Sequence, residues 1–132
     1  MKWLLYYGIT LTVFMVIDLI WLGFIAKDLY SKYLGYLMAD NVNWLAAVVF
    51  YLIFIGGVCY FVLYPSLMDK NMTNLIIRAA LFGFMTYATY DLTNLATIKD
   101  WPINITIIDL IWGTTLSTSV SVISYFIINL LG

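Results

Sequence analysis

Asp18, Asp91 and Asp109 each sit inside a long apolar run: VIDLIWLGF, TYDLTNLAT and TIIDLIWG. No Lys, Arg or His lies within several residues of any of them. A lone ionised Asp deep in hydrocarbon costs at least about 2.5–3.5 kcal/mol, so intramembrane carboxylates face protein or water and mark function by default. Grouped carboxylates without a basic partner have three outcomes. They take up protons, hold a metal ion through oxygen ligands, or hold an organic cation. At least one of the three is expected to be neutral at pH 7, with its proton shared across the group. The chain has no His and no Glu. That removes His-centred triads and most zinc sites and leaves any acid–base role to Asp itself. Cys59 is alone, so neither an intrachain disulfide nor a cysteine metal cluster is expected.

The neighbours of the three carboxylates share a pattern: DLIW at 18, DLTN at 91 and DLIW at 109. Residues i and i+3 share a helical face. Trp21 therefore accompanies Asp18, Asn94 accompanies Asp91, and Trp112 accompanies Asp109; Tyr87 joins the Asp91 face from one turn earlier. Carboxylates beside indole and phenol rings suit a cation held by charge and by π-faces. The plainer reading is that these rings fill a core and donate hydrogen bonds to the Asp side chains. Internal duplication or chance in a biased composition both account for the repeated tetrads.

The elements that carry these residues are membrane helices. Of 132 residues, 64% are hydrophobic and only 10% charged, whereas soluble domains are about half apolar and a quarter charged. Aromatics make up 18%, and the net charge of −1 gives no reason to expect nucleic acid as a partner. The partner expected is the lipid bilayer. Four spans are predicted, at about 3–25, 44–64, 75–98 and 103–131. Each reaches the roughly 20 residues that cross a bilayer core. The first is too long for a cleaved signal peptide and contains Asp18. The expected fold is an all-α membrane protein, a single domain over 1–132 built as a four-helix transmembrane bundle. Residues 26–41 form the longest connector, where Tyr30, Tyr33, Leu34 and Leu37 make one stripe; this predicts a short interfacial amphipathic helix. The second span is expected to stop at Pro65, Thr73 or Asn74 to cap the third, and Pro102 to open the fourth. Lys2, Lys70 and Arg78 fall on one side of the membrane and Lys27, Lys32 and Lys99 on the other. The charge rule is tied; an inner-membrane protein with both termini in the cytoplasm is the orientation taken.

Depth joins the carboxylates. Asp18 lies nine residues before Lys27, Asp91 eight before Lys99, and Asp109 nine after Asp100. Each offset is about 12–14 Å along a helix, measured from the same membrane face. The three should lie at one level facing inward, and on the second span that level falls near Tyr51. On the fourth span Gly113, Ser117 and Ser121 form a small-residue row that permits close helix approach, either within the chain or in a homodimer.

The residues TYDLTNLAT, KDWPINITIIDLIWG and VIDLIWLG resemble the bacterial membrane-protein family catalogued as domain of unknown function 2177, over essentially the whole chain. The resemblance implies a small four-helix membrane protein and no particular activity. It singles out Asp18, Trp21, Asp91, Asn94, Trp101, Pro102, Asp109, Trp112 and Gly113. Three functions remain open. One is a proton-coupled or cation-binding transporter, similar in size and layout to small multidrug exporters, though those carry one key Glu and this chain has none. Another is a lipid-modifying membrane enzyme or its accessory subunit, in which Asp18, Asp91 and Asp109 would hold Mg²⁺. The third is an assembly subunit with hydrogen-bonded Asp in its core. No cofactor is expected beyond a monovalent or divalent cation.

Overall fold

The computed structural model describes residues 2–38 and 43–131. In lipid every backbone N–H and C=O must be satisfied within its own segment, and an apolar chain with short connectors meets that demand with helices. Those described are α1 (Lys2–Ile20), α2 (Lys27–Leu34), α3 (Trp44–Val58), α4 (Tyr64–Asp69), α5 (Met72–Thr97) and α6 (Ile103–Leu131). Two π-helical segments link them, Trp21–Ala26 between α1 and α2, and Cys59–Leu63, which joins α3 and α4 into one longer rod.

Three helical stretches among the described residues are long and apolar enough to cross a membrane: Lys2–Phe24, Trp44–Asp69 and Ile103–Leu131. The 26-residue α5 has the length but carries more Thr and Asn. Its threonines hide their polarity. Thr86, Thr89, Thr93 and Thr97 each donate to the carbonyl one turn back, at 2.5–2.8 Å.

Several boundaries differ from those predicted. The second helical rod continues through Pro65 to Asp69. Proline lacks an N–H and crowds the carbonyl four residues back. The π segment just before it already abandons the α pattern, and the Tyr64 N–H reaches the Cys59 carbonyl five residues back. The rod therefore passes Pro65 without breaking. It ends at Lys70, in the left-handed region at φ 54°. The α5 cap is Asn71 and not Thr73 or Asn74; its side chain accepts from the Asn74 N–H at 3.2 Å. Pro102 immediately precedes α6, and its carbonyl accepts from the Ile105 N–H at 3.2 Å.

Helices α5 and α6 form the most extensive pair, α1 packs on α6, and the π segment after α3 packs on α5. Gly83 and Gly113 are why α5 and α6 come so close. A Cβ on Gly83 would meet the Gly113 carbonyl oxygen and stand 2.7 Å from Ser117 Cβ; one on Gly113 would meet the Tyr87 ring. The Gly113, Ser117 and Ser121 row is buried within this chain. The apolar core fills the half of the bundle nearer the termini, with Phe14, Phe54, Ile55, Val58, Leu116 and Val120 at its centre. There the Tyr7 hydroxyl donates to the Leu52 carbonyl and the Tyr64 hydroxyl to the Trp3 carbonyl, at 2.7 and 3.0 Å. Arg78 pairs with Asp69 at 2.9 Å and donates to the Ser66 hydroxyl at 3.2 Å.

The other half is built differently. From Trp44 to Ile53, α3 buries no side chain, whereas Phe54 and Ile55 just beyond are buried. The bundle splays there, and α2 folds over its end. Three tyrosines at three-residue spacing hold it down. Tyr30 donates to Asp109, Tyr33 accepts from the Asn104 amide at 3.4 Å, and Tyr36 donates to the Asp100 carbonyl at 2.7 Å. The predicted interfacial stripe is thus turned inward at Tyr30, because a buried carboxylate is a stronger partner for a phenol than the membrane surface. Residues 39–41 of the expected connector and the Lys27 side chain lie outside the described residues.

Candidate functional site

Where the bundle splays it encloses a cleft of about 720 Å³. Asp18 enters from α1 and Asp109 from α6. Rings from every side close around them, including Trp21, Tyr30, Tyr51, Tyr87 and Trp112. Among the described residues, the lining contains no Lys, Arg or His. The floor is the apolar core, reached through Phe14 and Phe54, which belong to both.

All three carboxylates are buried, Asp18 at 8% exposure, Asp91 at 0% and Asp109 at 7%. Asp109 is the hub. The Tyr30 hydroxyl donates to one of its oxygens. Its carboxyl also lies within hydrogen-bonding reach of Asp91, across the α5–α6 seam. Asp91 itself stands behind the cleft wall. Among the described residues, no N–H or hydroxyl donates to either of its oxygens. Two carboxylates hydrogen-bond to each other only when one of them carries a proton. Asp18 stands beside Tyr51. Tyr87 sits amid all three carboxyls. Its ring is seated directly on Gly113, where any side chain would displace it. Gly113 therefore contributes to the site as well as to helix packing.

Trp21 and Trp112 stack on each other, centroids 4.2 Å apart and planes 9° from parallel. They form one wall of the cleft and not two sides of a cage, since their facing surfaces are already occupied. Trp21 begins the π segment, and π-bulges concentrate at functional sites because they re-aim side chains. Asn94 is not among the residues that line the cleft. Trp101 does line it, anchored by its indole N–H on the Thr106 hydroxyl at 3.0 Å. Among the described residues, no three His, Cys, Asp or Glu side chains converge into a metal-holding group.

Outside the spans, Tyr30 is the one site residue with a displaced phenol. Burial, then the hydrogen bond and negative charge of Asp109, push its ionisation well above that of a free tyrosine. It stays a donor throughout the neutral range. Sequence reasoning missed its role because an aromatic on an amphipathic connector reads as an interface anchor. The signal available was the lack of any basic residue at the level of the carboxylates, which leaves hydroxyls as their donors.

The model of the predicted membrane protein family DUF2177 matches residues 3–126. The chain belongs to that family. No curated protein and no solved structure matches it. Membership makes this a membrane protein and leaves its activity to be argued from the site.

Proposed function

We propose that the protein is a proton-coupled, cation-binding transporter of the membrane. The observation that carries this reading is a cleft inside the bundle with two buried carboxylates, aromatic walls and, among the described residues, no basic side chain. Such a cleft attracts a cation through charge and through the π-faces of Tyr and Trp. Asp18 and Asp109 supply the charge. Asp91, fully buried against Asp109, is the store of the exchangeable proton. In the empty protein that proton bridges the pair. A cation arriving at Asp109 competes with it, and the proton leaves. An assembly subunit needs buried Asp side chains for packing alone and has no need of a cleft beside them.

The reading includes four spans. Helix α6 is long and apolar enough to cross, and α5 runs antiparallel along it through the Gly83–Gly113 contact. A 26-residue helix so paired crosses with its partner. Four crossings put both termini on one side, which we assign to the cytoplasm of a cell bounded by an inner membrane. A homodimer needs a surface other than the Gly113, Ser117 and Ser121 row.

The test is equilibrium binding of an aromatic or quaternary cation, followed by tryptophan fluorescence of purified protein at pH 6 and pH 8. Proton competition predicts tighter binding at pH 8. Equal affinity at both values, or no binding at either, would remove the reading.

A further inference from the structure

The walls of the cleft are not equally closed. At the end nearer α2, Tyr30, Tyr33 and Tyr36 tie that helix to Asp109, Asn104 and the Asp100 carbonyl. Three hydrogen bonds hold that side, where Ser31 and Met38 also line the cleft with exposed side chains. The sides around α3 are different. Ala47, Phe50 and Tyr51 line the cleft from a stretch of α3 that buries none of its side chains. Across from them stand Leu22 on the α1 side and Tyr90 on the α5 side, and both also line the cleft while remaining exposed. In a spanning protein a residue that is exposed at this depth faces acyl chains. The cleft therefore opens between helices into the bilayer.

The chemistry of the opening matches that of a chain. The gap is framed by Leu22, Ala47 and Phe50, all apolar, and the carboxylates lie beyond it. From these observations we infer that the ligand is a cationic amphiphile drawn laterally from the membrane, its charged head at Asp18 and Asp109 and its alkyl tail leaving past α3 into lipid. This rests on the cation-binding reading above and adds to it the class of ligand and the route. The tail never leaves an apolar medium, and only the head changes its surroundings. The head exchanges the membrane surface for two carboxylates and several ring faces. A small, strongly hydrated cation gains nothing from an apolar opening.

The inference is tested in nanodiscs of phosphatidylglycerol, which contain no competing ammonium lipid. Tetramethylammonium and dodecyltrimethylammonium carry the same head, and each is titrated with proton release as the readout. The dodecyl compound is expected to act at concentrations at least tenfold lower. Partitioning into the disc alone would also favour it, so the same pair is titrated against A47W, which fills the gap with an indole. The tenfold advantage is expected to collapse in A47W. If it survives there, partitioning explains it and lateral access is overturned. If the two cations act equally on the native protein, with proton release by both, the cation site stands and the amphiphile inference falls. If neither cation releases protons, the cation-binding reading falls and takes this inference with it.

Discussion

Replacing Gly83 with Ala tests the contact that sets the whole site in place. A Cβ there would press on the Gly113 carbonyl oxygen and lie 2.9 Å from its carbon and 2.7 Å from Ser117 Cβ. Backbone atoms in the middle of a long helix cannot step aside, so α5 and α6 must separate along the seam. Overpacking of this kind costs about 1–3 kcal/mol. Alanine also favours a helix over glycine by up to about 1 kcal/mol, which offsets part of the loss. The control is G8A, where a Cβ would meet nothing within 4 Å and only the helical preference acts. G57A is intermediate, since its Cβ would meet the tip of the Phe82 ring at 2.7 Å and a ring tip can swing. Unfolding free energies measured in mixed micelles should rank G83A below G57A below G8A, with the extremes separated by about 1–3 kcal/mol. G83A should also disturb the Asp91–Asp109 pair and weaken cation binding. Equal stability of G83A and G8A would refute the close crossing and the position of every site residue that depends on it.

Three further outcomes are expected. Y30F removes the donor to Asp109 and should cost about 1.5–3 kcal/mol, the worth of a hydrogen bond to a charged group; hydrogen exchange over 27–34 should rise, and unchanged exchange there would mean that Tyr30 does not hold α2 down. Because the Tyr30 phenol ionises above its free value, its contribution is fully present below the ordinary tyrosine value of about 10 and lost as pH rises further; alkaline titration of wild type against Y30F should show stability curves that stay parallel below that point and converge above it. S121A removes a fully buried hydroxyl that has no hydrogen-bond partner, so thermal unfolding should find it neutral or stabilised by up to about 1 kcal/mol; a marked loss would reveal a partner for that hydroxyl.

The sequence made the burial of Asp18, Asp91 and Asp109 legible, because the cost of a charge in hydrocarbon leaves few places for it. Counting residues from the charged connectors also reached Tyr51, which the structure sets beside Asp18. Helix existence followed from apolar length. What did not follow were features decided by contacts between elements. The π segment at Trp21–Ala26 shifts a few hydrogen bonds and leaves no mark in residue pattern. The passage of the second rod through Pro65 depends on the π segment before it, whereas a proline read alone signals a stop. The inward turn of Tyr30 depends on Asp109, 79 residues away in sequence. The stacking of Trp21 on Trp112 joins two DLIW tetrads from helices far apart in the chain, and their resemblance gave no hint that they touch.

The proposed exchange turns on a proton shared by Asp91 and Asp109, and proton stoichiometry tests for it directly. Purified protein in weakly buffered solution near pH 7, with a pH indicator, is titrated with a quaternary ammonium cation to saturation. Exchange predicts about one proton released per cation bound. D91N should bind the cation and release none, since an amide is nearly isosteric with a protonated carboxyl but holds no exchangeable acid proton. Saturable binding by the wild type with no proton released, or undiminished release by D91N, would contradict it.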